Sequence, residues 1–253
     1  MRAMPTAQSG GVPIRYEVIG QGQPIVLVHG FSSSFDGQWR LSGWVDFLVG
    51  EGRQVIGLDC RGHGNSAKPL SPEAYAGNQF PDDVLAVMDA VGIERADIMG
   101  YSMGARITAF LALRHPERVR SAMLGGLGSH LVEGVGLPLG IADAMEAPSA
   151  DTLQDPMQRV FRLFAEQTKS DLKALAACIR GSRQVLSRDE VGRIAVPILV
   201  SVGTKDPIAG SPHDLAALMP NARALDIPGR DHNLAVGDKT HKHGVLAFLA
   251  ERP

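Results

Sequence analysis

Gly100-Tyr101-Ser102-Met103-Gly104 sets a hydroxyl between two glycines, each two residues away. A serine hydroxyl is a poor nucleophile at neutral pH. It attacks when a base takes its proton and a third group orients that base. The chain supplies both further on. Gly203-Thr204-Lys205-Asp206-Pro207 carries a carboxylate, and Pro228-Gly229-Arg230-Asp231-His232-Asn233 carries an imidazole. Serine, then acid, then histidine is one of the chain orders in which such triads occur. The chemistry within reach is nucleophilic catalysis, with Ser102 attacking, His232 as base and Asp206 orienting it.

Three residues so far apart can meet only if secondary structure delivers them to one edge. Ala96–Gly100 reads as a strand running into Ser102, and Met103–Arg114 as a helix with Met103, Ile107, Phe110 and Leu111 on one side. Pro197–Val202 is a strand ending just before Asp206, and Ala224–Ile227 is one ending before His232. Pro24–Val28, Gln54–Leu58 and Val119–Leu124 are further apolar strands. Met1–Ala7 and Val12–Ile19 read as a hairpin around Gln8-Ser9-Gly10-Gly11. Asp82–Val91, Asp214–Met219 and His243–Ala250 carry helical patterns. Such alternation predicts an α/β fold: a mostly parallel central sheet flanked by helices. The rhythm breaks between Gly125 and Arg193, where Gly125–Gly140 is loop-like and Asp151–Gln167 and Asp171–Arg180 look helical. The expected division is a core of residues 1–124 and 194–253, with 125–193 a helical cap over the sheet's carboxyl edge.

Composition narrows the functional classes. In 253 residues, 44% are hydrophobic and 21% charged, which is ordinary for a globular protein and excludes a disordered chain. A net charge of −2 argues against a nucleic-acid partner. Two cysteines, Cys60 and Cys178, cannot build a disulfide scaffold or a structural zinc site. Met1 to Gly11 lacks the apolar core of a signal peptide, and no run is long enough to span a membrane, so a cytoplasmic location is expected.

Other side chains compete for the same roles. Asp226 lies within a strand, and Asp231 adjoins His232 itself, so Asp206 is preferred. His115 ends a helix, where an imidazole favours the dipole. His130 sits where it could touch a substrate. His213, His241 and His243 read as surface residues, and no third ligand accompanies His241-x-His243 to make a metal site. Phe31, Trp39, Met103, Met145, Met157, Phe161 and Phe164 are candidate pocket residues.

With these motifs in place, the chain resembles the α/β-hydrolase superfamily, in its branch of small capped serine esterases, lactonases and carbon–carbon hydrolases. The resemblance rests on His29-Gly30-Phe31, Asp59-x-Arg61-Gly62-His63-Gly64-x-Ser66, Gly100-Tyr101-Ser102-Met103-Gly104, Gly203-x-x-Asp206 and Asp231-His232. It implies that the backbone N–H groups of Phe31 and Met103 form the oxyanion hole, and that His29 and His63 shape loops rather than move protons. It implies a serine hydrolase acting on a small-molecule carboxylic ester, with neither metal nor organic cofactor. Enol-lactonase, carbon–carbon hydrolase, perhydrolase and slow-turnover receptor remain alternatives on the same fold. Arg106, closely following the nucleophile, also resembles the pyruvate-eliminating lyase of the menaquinone pathway, an enzyme that needs further basic residues.

Overall fold

In the computed structural model, residues 4–134 and 136–251 are described. The strands are β1 Thr6–Ser9, β2 Val12–Ile19, β3 Gln23–Val28, β4 Arg53–Leu58, β5 Ala96–Tyr101, β6 Val119–Gly125, β7 Ile198–Gly203 and β8 Ala222–Ile227. They form one sheet in the order β1-β2-β4-β3-β5-β6-β7-β8. β1 and β2 pair antiparallel, as do β2 and β4, and every other pair is parallel. The helices are α1 Trp44–Gly50, α2 Gln79–Val91, α3 Met103–Arg114, α4 His130–Glu133, α5 Leu139–Glu146, α6 Pro156–Gln167, α7 Leu172–Gly181, α8 Arg188–Gly192, α9 Pro212–Ala216 and α10 Lys239–Glu251.

Strands buried on both faces need apolar residues at every position, and their alternate side chains feed opposite layers. In β3, Val26 and Val28 join the layer with α2 and α3, while Ile25 and Leu27 join Trp44, Leu48, Val245 and Phe248 of α1 and α10. The helices thus cover both faces, as expected from the sequence.

Several bounds moved. The first strand is Thr6–Ser9 rather than Met1–Ala7 (residues 1–3 lie outside the described residues), and Gly10 and Gly11 close the hairpin with positive φ. The expected helix Asp151–Gln167 is split: a 3-10 turn covers Ala150–Thr152, and α6 starts at Pro156, capped by the Asp155 side chain. Gly125–Gly140 is not all loop, since it holds α4 and the start of α5. Between β6 and β7 the described residues contain α4 to α8 and no strand. No helix among the described residues is long and apolar enough to cross a membrane.

Candidate active site

β5 delivers Ser102 through a turn that only this sequence pattern permits. Ser102 has φ +55° and ψ −113°, strained for any residue with a side chain. A Cβ at Gly100 would collide with the Gly104 carbonyl, and one at Gly104 with the Val28 carbonyl, so both flanking positions must be glycine. The turn is locked by the Ser102 N–H donating to the Gly125 carbonyl at 2.8 Å.

The acid and the imidazole arrive from the ends of β7 and β8. The Asp206 carboxylate is fully buried. Its Oδ1 accepts the N–H groups of Ile208 (2.8 Å) and Ala209 (3.1 Å), and its Oδ2 lies 2.7 Å from His232 Nδ1. A carboxylate can only accept here, so Nδ1 carries the proton and Nε2 is left with a free lone pair. Ser102 and His232 line the same cavity. Their hydroxyl and Nε2 make no hydrogen bond to each other among the described residues. In unliganded sites such bonds are often long, closing as substrate enters.

Phe31 follows β3 and Met103 opens α3, and both line the cavity beside Ser102. Neither backbone N–H has an acceptor within the protein among the described residues. The loop bearing Phe31 is pinned from two sides. His29 Nε2 accepts the Cys60 N–H at 2.9 Å, so its Nδ1 donates to the Gly30 carbonyl at 2.7 Å, and the Gly30 N–H donates to Gln38 Oε1 at 2.8 Å.

Three side chains that the sequence did not flag for this purpose hold the His232 loop. Tyr101 Oη donates to the His232 carbonyl at 2.6 Å, and Trp44 Nε1 donates to the Val236 carbonyl at 2.7 Å. His241 is the third, and it corrects an expectation. It is completely buried, not a surface residue, with Nδ1 facing the carbonyls of Ala235 and Val236 and Nε2 2.9 Å from Ser201 Oγ. α10 packs it between Trp44 and Tyr101, a tertiary placement invisible in the local sequence.

Burial lowers the affinity of three histidines for protons: His29 downward, His63 to about 3 and His241 to about 4. The unfolded chain therefore binds protons that the fold refuses. Stability is full above pH ~6.5 and falls as the pH drops toward 4 and then 3. His241 alone accounts for a loss of about 3 kcal/mol by pH 4. The melting temperature is expected to fall steadily between pH 6.5 and 4; a flat profile would show that these histidines are not buried in their neutral form.

The remaining candidates sort cleanly. Asp226 faces His213 at 2.9 Å on the surface, and Asp231 caps its own loop through the N–H groups of Asn233 and Leu234. Asp59 accepts the N–H groups of Phe35 and Asn65, ordering two loops. Cys60 and Cys178 are buried, and burial pushes both thiols up, Cys178 to about 12. No group of three potential metal ligands occurs among the described residues. Of the candidate pocket residues, Phe31, Met103, Met157, Phe161 and Phe164 line the cavity. Trp39 and Met145 do not; they are core residues, Trp39 stacked edge-on against Trp44.

The cavity measures about 1210 Å³ and opens at the carboxyl ends of β3, β5, β6, β7 and β8. α6 lines it with an apolar face. At one end stand Arg106, one turn along α3 from Ser102, and Arg183, just beyond α7. Arg106 is held by the carbonyls of His130 and Gly134 at 3.1 Å, and Arg183 by that of Leu137. No carboxylate lies within ion-pair distance of either among the described residues. Burial, and secondarily the Arg183 charge, lower the Arg106 pKa to about 10. Arg183 escaped notice in the sequence because nothing local ties it to residue 106.

Comparison with known proteins agrees with this fold. A family model described as alpha/beta hydrolase fold matches residues 23–132. The chain is 28% identical to 3-oxoadipate enol-lactonase 2 of Acinetobacter baylyi, over 80% of this chain and 79% of that protein. It is 32% identical to the dihydrolipoyllysine-residue acetyltransferase component of the acetoin cleaving system of Pseudomonas putida, over 96% of this chain and 68% of that one. Among solved structures, the enol-lactonase from Burkholderia xenovorans LB400 superimposes with a TM-score of 0.77 at 25% identity, covering 98% of this chain and all of the other (100%).

Proposed function

We propose, because this chain belongs to the alpha/beta-hydrolase fold family, that it is a serine hydrolase cleaving carboxylic esters through an acyl-enzyme on Ser102. The observation that carries the proposal is the buried Asp206–His232 pair, whose free Nε2 shares a cavity with a hydroxyl raised on a strained turn. Ser102 attacks the carbonyl carbon while His232 Nε2 takes its proton, and Asp206 stabilises the imidazolium. The oxyanion settles on the N–H groups of Phe31 and Met103, which have no other acceptor to give up. His232 then returns the proton to the leaving alcohol, and a water activated by the same imidazole releases the acid. The insertion between β6 and β7 acts as the cap, with α6 lining the acyl site. Two buried, unbridged cysteines fit a cytoplasmic setting. The test is steady-state hydrolysis of p-nitrophenyl esters of graded acyl length alongside simple lactones; repeated turnover of at least one class is expected. A single stoichiometric acylation that then stalls would instead identify a receptor.

One observation refines the substrate. Arg106 and Arg183 line the cavity with no carboxylate within ion-pair distance of either among the described residues, although Glu133 lines it too, and on this reading the acyl or alcohol portion beside the two arginines carries a carboxylate. The enol-lactonases to which the chain is similar, one of them named for 3-oxoadipate, support a charged ester or enol-lactone of that kind. Losing a hydrogen bond to a charged group costs about 1.5–3 kcal/mol. Arg183→Met is therefore expected to raise KM for an ester bearing a free carboxylate by about tenfold or more, and to leave KM for its neutral analogue within about twofold. Equal changes for both would remove the anion from the substrate.

A further inference from the structure

Among the described residues, three that are not glycine have positive φ: Ser102 (+55°), Ser32 (+58°) and Lys169 (+54°). Strained backbone of this kind persists where surrounding structure imposes it. The first is the nucleophile. The other two lie in two segments that meet, Ser32 in the Phe31 loop and Lys169 in the turn that ends α6.

Ser32 directly follows Phe31 and is completely buried. Its Oγ lies 3.4 Å from Thr168 Oγ1 and 3.5 Å from Ser170 Oγ. Thr168 caps the C-terminus of α6, and its single hydroxyl proton goes to the carbonyls of Phe164 (3.0 Å) and Ala165 (3.1 Å). Thr168 Oγ1 can then only accept, from Ser32 and from Ser170 at 2.9 Å. The turn presenting it is a Schellman motif: the Lys169 N–H donates to the Glu166 carbonyl, and the Ser170 N–H to that of Ala165. That motif requires a left-handed residue, and here a lysine stands where glycine would sit without strain. Seven residues back, two turns along the same helix face, the Phe161 ring lies 6.2 Å from the Phe31 ring. Residues 31 and 32 therefore touch α6 at its middle and at its C-terminal turn.

We propose that Ser32 is a positioning residue: buried with its hydroxyl against the Thr168 and Ser170 hydroxyls at the C-terminal turn of α6, it holds the Phe31 N–H at the oxyanion position, so that the helix over the cavity and the oxyanion hole are set together. This rests on the serine-hydrolase assignment above. The hydroxyl touches no reacting atom; it acts through the backbone of its neighbour. A donor displaced by a fraction of an ångström loses part of its worth in the transition state while ground-state binding is little changed.

The experiment uses the full chain with Ser32→Ala, Thr168→Val, Thr168→Ser and the Ser32→Ala/Thr168→Val double variant. Ester turnover and inhibition by an alkyl trifluoromethyl ketone, whose adduct places an oxyanion in the hole, are measured together. Each hydroxyl deletion is expected to lower kcat by about tenfold with KM within about twofold, and to weaken the ketone by the same factor. The double variant is expected to fall no further than Ser32→Ala, because that change already removes the contacts of the Ser32 hydroxyl to both Thr168 and Ser170, and Thr168→Ser to stay near wild type. Thr168 is exposed, so its variants carry the test even where Ser32→Ala fails to fold. Unchanged kcat in Thr168→Val, or losses that multiply in the double variant, would overturn the inference while wild-type turnover at Ser102 left the parent assignment standing. A wild type with no turnover at Ser102 would sink both.

Discussion

Ser102→Ala is expected to lower kcat by about 10⁴–10⁶ and leave the protein folded. The hydroxyl makes no hydrogen bond within the protein among the described residues, so its loss orphans no partner. Alanine keeps the same Cβ at the same positive φ, so the turn carries no strain that serine did not already impose. Deleting the nucleophile leaves only binding and the oxyanion donors, which explains why the loss is large but finite. The check is kcat for the best ester found, with circular dichroism and melting temperature on the same preparation. Turnover within about tenfold of wild type would remove Ser102 from the mechanism.

Asp206→Asn is expected to cost about 10⁴ in kcat, by analogy with the same exchange in a serine protease triad. Asparagine can keep its carbonyl oxygen on the Ile208 and Ala209 N–H groups, where Oδ1 sits now. Its amide nitrogen then replaces Oδ2, 2.7 Å from His232 Nδ1. Two donors cannot face each other, so Nδ1 gives up its proton and becomes the acceptor. The proton moves to Nε2, the atom that must accept one from Ser102. The geometry survives while the tautomer is wrong. The same substitution at Asp226 or Asp231 touches neither contact, and turnover within about twofold of wild type is expected there. A loss under tenfold for Asp206→Asn would assign the orienting role to another acid.

What could be read from the sequence follows from how locally each feature is encoded. The strands around Ile25, Ile98 and Val200 declare themselves as apolar runs because a parallel sheet buries both faces. The turn at Ser102 declares itself because backbone collision at residues 100 and 104 admits only glycine. Asp206 and His232 were legible from strand ends, and the carboxylate–imidazole contact follows from β7 and β8 being neighbours. Features set by tertiary packing were not legible. His241 looks like a surface residue in a polar stretch of α10, and it is buried by tertiary neighbours, the rings of Trp44 and Tyr101 and the Ser201 hydroxyl among them. The turn at Phe35–Arg40 is π-helical and swings Gln38 onto the Gly30 N–H, a register that no periodicity announces. Arg106 and Arg183 come together because α3 and the end of α7 border one cavity. The strain at Lys169 is hidden for a similar reason: a lysine gives no sign of a left-handed turn where a glycine would have.

The central claim is that one particular oxygen becomes acylated. Incubating wild-type protein with a fluorophosphonate, then digesting it and locating the added mass by tandem mass spectrometry, tests this directly. One adduct per chain is predicted, on the peptide containing Ser102, with labelling abolished by Ser102→Ala and strongly slowed by Asp206→Asn. An adduct on any other residue, or undiminished labelling of the Ser102→Ala protein, would contradict the account.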